Sequence, residues 1–324
     1  MVTLLVPDRS DRSGSTRYRF HVDVGIFSGA AGSSGFDAVV ADATAALADG
    51  FPSYWLPQIV QQADAMTLIG ALAQHVPGIR FGTSVVPTYP RHPMVMAEQA
   101  KTASMLTGGR FTLGIGLSHQ PVVEGMWGYS FDKPVRHARE YLDALMPLLA
   151  GEAVRASGET ITARGKLDIY APEPPVLLAA LGPQMLRLAG ERCAGTITWM
   201  TGASTLHTLT VPSIGEAASD AGRPAPVIAV GIPIWVTDDV DAARSVAASM
   251  FQVYGQLPSY RSMLDHEGID GPEDLAIIGD EATCAGRLDV FEAAGATQFL
   301  ASEFANTRED RQRTRAFLAS RLPD

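Results

Sequence analysis

The chain has 324 residues, 46% of them hydrophobic and 19% charged, which is a globular composition with ample apolar material for a buried sheet. Its formal net charge of −10 argues against a broad nucleic-acid or anionic-membrane surface, since either would repel it. Cys193 and Cys284 are too few for a disulfide framework or a cysteine-rich metal site, and no run approaches the roughly 20 apolar residues of a membrane span. The opening MVTLLVPDRSDRSGSTR lacks the apolar core of a secretion signal. A cytoplasmic protein is expected, with residues 1–17 a flexible extension and 18–324 a single domain.

Apolar runs then alternate with helical patterns. Strands over His21–Phe27, Ser53–Leu56, Ile79–Val86 and Phe111–Gly116 lead into helices over Asp37–Ala48, Ala63–His75, Pro93–Leu106 and Pro134–Leu149. The second half pairs Val176–Leu181 with Pro183–Arg192 and Gly195–Trp199 with Ser204–Ala221. It ends with Val227–Val236, two helices over Val240–Tyr254 and Ala282–Ala294, and a strand at Thr297–Ala301. Continuous apolar strands in eight such units predict an α/β fold, a closed (β/α)8 TIM barrel with insertions. A hairpin near 154–170, turning at Ser157–Gly158, leaves from the face opposite an active site. The segment 255–280 starts on the active-site face and is a candidate cover, with Tyr254, Tyr260, Arg261 and His266 in or beside it.

Chemistry in such a barrel gathers at the C-terminal strand ends. GIGLSHQ at Gly114–Gln120 is no dinucleotide fingerprint, because His119 stands where the third glycine belongs. It reads as a strand running into a ligand loop, its glycines admitting a flat ring and His119 entering the mouth, or else as a surface turn with a solvated histidine. TYPRHP at Thr88–Pro93 is a stiff turn into a helix. Arg91 and His92 there serve either a phosphate or acidic substrate, or an ion pair and a helix-entry bond. ALGPQM at Ala180–Met185 offers backbone amides at the positive end of a helix, a cradle for phosphate or an ordinary turn. Trp55 and Trp199 near strand ends flank a ring or belong to the core. No HExxH pair, cysteine–histidine cluster or GxSxG elbow is present, so neither a metal site nor a serine hydrolase is expected.

The runs SVVPTYPRHPMVMAEQA, GGRFTLGIGLSHQPVVEGMWG, DKPVRHAREYLDALMPLLAGE and ALGPQMLRLAGERCAGTITWM resemble the luciferase-like monooxygenase superfamily over about residues 20–305. The similarity is closest to its coenzyme F420-dependent oxidoreductases of the actinobacterial type. The resemblance implies a bacterial luciferase-like barrel holding a deazaflavin at its C-terminal mouth, and a homodimer. By position, Ser84 and Val85 match a strand-three bulge under the ring, where a non-prolyl cis peptide is common. Thr88, Gly116, Ser118 and His119 match the mouth. Leu181, Gly182, Pro183 and Gln184 match the phosphate turn, with Trp199, Met200 and Thr201 beside it. One departure stands out: the alcohol and sugar-phosphate dehydrogenases of the superfamily carry a histidine after strand two, where this chain reads Tyr54-Trp55-Leu56-Pro57-Gln58. Gln58 bonds a ring or substrate but carries protons poorly.

The expected activity is hydride transfer from reduced coenzyme F420 to an electron-poor C=C, C=O or C=N of a small organic substrate. His119 is the first candidate for the proton, Glu124 the second. An FMN-dependent monooxygenase and a cofactor-binding barrel without turnover are the alternatives.

Overall fold

The computed structural model describes residues 22–29 and 35–323, so the extension expected over 1–17 lies outside the described residues. Strands β1 (Asp23–Phe27), β2 (Ser53–Leu56), β3 (Arg80–Thr83) and its continuation β4 (Val86–Pro87), and β5 (Phe111–Gly116) form one half of a parallel sheet. After a separate antiparallel hairpin of β6 (Val154–Ser157) and β7 (Thr162–Gly165) come β8 (Val176–Ala179), β9 (Gly195–Trp199) and β10 (Val227–Val236). A short β11 (Ile277–Gly279) pairs in parallel with the end of β10, and β12 (Gln298–Glu303) pairs with both β10 and β1. Pairing of β9 with β10 closes the sheet into an eight-strand barrel.

Closure explains the apolar strands, whose alternate side chains enter two cores. Trp55, Leu177, Ile197, Ala229 and Leu300 fill the barrel interior, while their neighbours Tyr54, Leu178, Val230 and Phe299 face the helices. Trp55 is 2% exposed and its indole N–H donates to Ser53 Oγ at 3.0 Å, so it is core rather than a wall of the mouth.

The outer helices begin where capping chemistry places them. They are α1 (Phe36–Ala48), α2 (Ala65–His75), α3 (Pro93–Thr107), a short α4 (Gln120–Gly125), α5 (Pro134–Leu149) and α6 (Pro183–Arg192). Next, α7 (Ala203–Thr205) passes through a π turn (Leu206–Thr210) into α8 (Val211–Asp220). The chain continues through α9 (Val240–Gln256), α10 (Pro258–Glu267), α11 (Glu281–Ala293) and α12 (Arg308–Ala319). Prolines open α3, α5 and α6, and Asp64, Asp239 and Asp280 accept backbone N–H groups at the starts of α2, α9 and α11. Helices α4, α10 and α12 leave no mark in the apolar pattern. In α12, REDRQRTRAFLA, only Thr314, Phe317 and Leu318 are buried, and the capping Thr307 hydroxyl accepting from Asp310 N–H at 3.1 Å is its main start signal.

Candidate active site

Parallel strands bring their C-terminal ends to one face, and a cavity of about 2040 Å³ opens there. Gln58, Ser84, Val85, Gly116, Ser118 and His119 line it, together with Leu181, Gly182, Pro183, Gln184 and Trp199. Thr88, Glu124, Met200 and Thr201 do not.

The wall between β3 and β5 is made by backbone. The Ser84–Val85 peptide bond is cis, and these two residues bulge between β3 and β4. Thr83 ties the bulge down: its hydroxyl donates to Gly114 O at 2.8 Å and accepts from Gly114 N–H at 2.9 Å. A Cβ on Gly114 would lie 1.9 Å from Thr83 O, and one on Gly116 would lie 2.7 Å from Val85 Cγ2. The glycines of GIGLSHQ therefore make room for the bulge.

Behind this wall Thr88 is 2% exposed; its N–H donates to Gly116 O at 2.9 Å and its hydroxyl lies 3.2 Å from His137 Nε2. It supports the mouth without facing it. His137 stacks on Tyr89 with ring centroids 4.0 Å apart, and burial pushes its pKa down to about 4. Arg91 is paired with Asp64 and its carbonyl accepts the Tyr141 hydroxyl at 2.9 Å. His92 Nδ1 accepts Met94 N–H at 3.3 Å while Nε2 donates to Thr162 O at 2.9 Å. Both residues of the TYPRHP turn are thus spent on structure.

After β5 the chain turns at Ser118, whose φ is +64°, and places His119 at the start of α4 with no side-chain cap bond. Its ring is half-buried and meets Tyr260 edge-on at 5.7 Å. Burial lowers its pKa from the usual 6.5, favouring the neutral imidazole. Glu124 is exposed, and its carboxylate accepts Gln120 Nε2 at 2.9 Å and Phe131 N–H at 3.1 Å. It braces the loop outside the cavity.

Gly182 caps α6 without a side-chain bond, Pro183 opens the helix, and a Cβ on Gly182 would meet nothing within 4 Å. The helix start is therefore open to an anionic oxygen. Beside it Thr198 lines the cavity with its buried hydroxyl unpartnered. Trp199 stacks on Phe27 at 4.9 Å. Met200, 1% exposed with φ +49°, turns the chain away, its N–H held by Gly231 O at 3.0 Å, and Thr201 is fully buried. These two shape the turn that presents Trp199. Gln58 faces the cavity while its side-chain oxygen accepts Ala65 N–H at 2.8 Å. A flat ring system and an acid ester both fit what these residues offer.

Segment 255–280, the candidate cover, holds α10, a short 3-10 turn (Pro272–Asp274) and β11. Glu267 of α10 accepts Ser204 N–H at 3.1 Å and Thr205 N–H and Oγ1–H at 2.8 Å, latching α10 to α7. Tyr254 and Tyr260 thereby join the cavity lining. Residues overlooked in the sequence are Phe27, Glu303, Arg315 and Asp42. Glu303 ends β12, burial raises its pKa against the pull of Arg315, and Arg315 also donates to Asp42 at 3.0 Å. Its place at a barrel strand end was the available signal. Among the described residues no helix is long and apolar enough to cross a membrane, and no group of three or more His, Cys, Asp or Glu is placed to hold a metal ion.

The family model for luciferase-like monooxygenases matches residues 19–298. The chain is 30% identical over 232 residues to the 5,10-methylenetetrahydromethanopterin reductase of Methanolobus tindarius, covering 71% of this chain and 70% of that protein. It is 34% identical over 223 residues to the F420-dependent glucose-6-phosphate dehydrogenase of Beutenbergia cavernae, covering 67% and 65%. The fold matches that of the coenzyme F420-dependent tetrahydromethanopterin reductase from Methanopyrus kandleri with a TM-score of 0.78 at 20% identity, over 94% of this chain and 99% of that one. A match across nearly the whole barrel, in sequence and in fold, establishes that this chain belongs to the luciferase-like monooxygenase family.

Proposed function

We propose that the chain is a coenzyme F420-dependent oxidoreductase reducing an electron-poor C=C, C=O or C=N of a small organic molecule. One observation carries the reading: half-buried His119 shares a cavity with the Ser84–Val85 bulge and with the open start of α6. The F420 dependence in the name of the Beutenbergia cavernae relative supports it. Ser84, Val85 and Gly116 would carry the flat ring system, Leu181, Gly182, Pro183 and Gln184 would receive its phosphate, and Gln58, Ser118 and Trp199 would close around it. Reduced F420, when bound, supplies a hydride.

The chain's own part is binding, orientation and one proton. Protonated His119 gives that proton to the atom next to the one receiving hydride and is refilled from solvent. Because burial lowers its pKa, the imidazolium form grows only as pH falls below 6.5, so reduction should quicken toward acid. Glu124 is left out of the proton path, being exposed and engaged elsewhere.

The test is oxidation of reduced F420 against a panel of enones, aldehydes and imines between about pH 5 and 8. We expect rates that rise toward low pH, and a His119→Gln variant slower by about 100-fold with a flat profile. Full turnover by that variant across the range would remove His119 from the proton path. Binding of FMN in place of F420 would point to the monooxygenase reading, and F420 binding without transfer to any acceptor to a barrel without turnover.

A further inference from the structure

Rings from separate elements make a continuous run of contacts along the cavity. Phe27 of β1 stacks on Trp199 of β9 at 4.9 Å, and Trp199 meets Tyr254 of α9 edge-on at 6.1 Å. Tyr254 meets Tyr260 of α10 at 5.0 Å, and Tyr260 meets His119 at 5.7 Å. Burial raises the pKa of both tyrosines, so their hydroxyls stay neutral. Such a wall offers ring faces and edges to a flat partner and hydroxyls to its oxygen, but no charge.

The charged lining points the same way. Among the described residues, the cations lining the cavity are Arg311 and Arg315, and no lysine joins them. Arg315 is engaged by Glu303 and Asp42, and Arg311 donates to the carbonyls of Ala305 at 2.8 Å and Asn306 at 3.4 Å. Asp42, Asp49 and Glu303 add negative charge to the same cavity. An anionic acceptor would enter against that field, with Arg315 already engaged by carboxylates and exposed Arg311 held by backbone carbonyls.

We infer that the acceptor is a neutral, planar, conjugated molecule, such as an aryl enone, and not a phosphorylated or carboxylated one, with Tyr260 the contact that sets this preference. The inference rests on the proposed F420-dependent reduction and names the substrate class of the same site.

Calorimetric titration with benzylideneacetone, its ring-carboxylated analogue and glucose 6-phosphate tests it, with oxidised F420 present and absent. The neutral enone should bind, the carboxylate at least about tenfold more weakly, and the sugar phosphate not at all where the enone saturates. Tyr260→Ala should weaken enone binding about tenfold and Tyr260→Phe by less than about threefold. The comparison of charged and neutral probes on the unaltered protein decides the matter even if a variant fails to fold. Carboxylate or phosphate binding as tight as the enone, or no enone binding, overturns the inference. If F420 binds the same preparation and the enone does not, the acceptor class alone is wrong; if F420 does not bind, the proposed function fails.

Discussion

The wall between β3 and β5 and the wall supplied by α9 and α10 face the same cavity but keep their shapes by different means. The first is backbone fitted to backbone, with Gly114 and Gly116 leaving room for Ser84 and Val85 and with Thr83 bonded across. The second is a set of side chains hung on α9 and α10, with α10 latched to α7 by Glu267. A backbone wall tolerates almost no substitution, whereas a side-chain wall can be re-lined without moving the barrel. This division suits one fixed cofactor and an acceptor that differs between relatives.

Gly114→Ala should have the largest effect. With a Cβ placed 1.9 Å from Thr83 O, the bulge must move, and overpacking of this kind costs about 3 kcal/mol. Urea unfolding should show that loss, and F420 affinity should fall about 100-fold. A variant with unchanged stability and affinity would remove the backbone wall from cofactor binding.

Acid should loosen the first wall before the second. His137, 5% exposed, backs Thr88, and its folded pKa of about 4 lies below the ordinary 6.5. As pH falls through that window the unfolded chain takes up the proton first, so stability is lost, by about 2 kcal/mol at pH 5 for this group. Unfolding measured at neutral pH and near pH 5 should show that drop in the unaltered protein and a smaller one, by that amount, in His137→Gln. Equal drops would mean the imidazole is not held neutral.

Glu267→Gln has the smallest expected effect and the most selective one. Weakening the latch should cost about 1 kcal/mol and raise the acceptor KM about fivefold, leaving F420 affinity within about twofold. Equal losses for cofactor and acceptor would show that the two walls are not separable.

The helical frame was the legible part. Helices Pro134–Leu149 and Pro183–Arg192 begin and end where the sequence placed them, because proline and apolar spacing are local signals. The bulge at Ser84–Val85 follows from the resemblance alone, and the fit of Gly114 and Gly116 against it was not legible, because a close approach of two strands cannot be told from room for a ligand in one strand's sequence. Of the second wall, Tyr254 and Tyr260 were legible beside the candidate cover, but what holds the wall in place was not. Glu267 acts on Ser204 and Thr205, 63 and 62 residues away, and Arg315 meets Asp42 across 273 residues, so no local pattern records either contact. Arg91 and His92 are ambiguous in sequence for the same reason, since their partners Asp64 and Thr162 lie far along the chain.

Competitive titration with F420 and FMN, followed by the fluorescence of each, tests most directly whether the backbone wall is a deazaflavin site. F420 should bind saturably, weakened about 100-fold by Gly114→Ala and changed by less than about threefold by Tyr260→Ala, with FMN failing to displace it. Saturation by FMN without binding of F420 would contradict a deazaflavin site there.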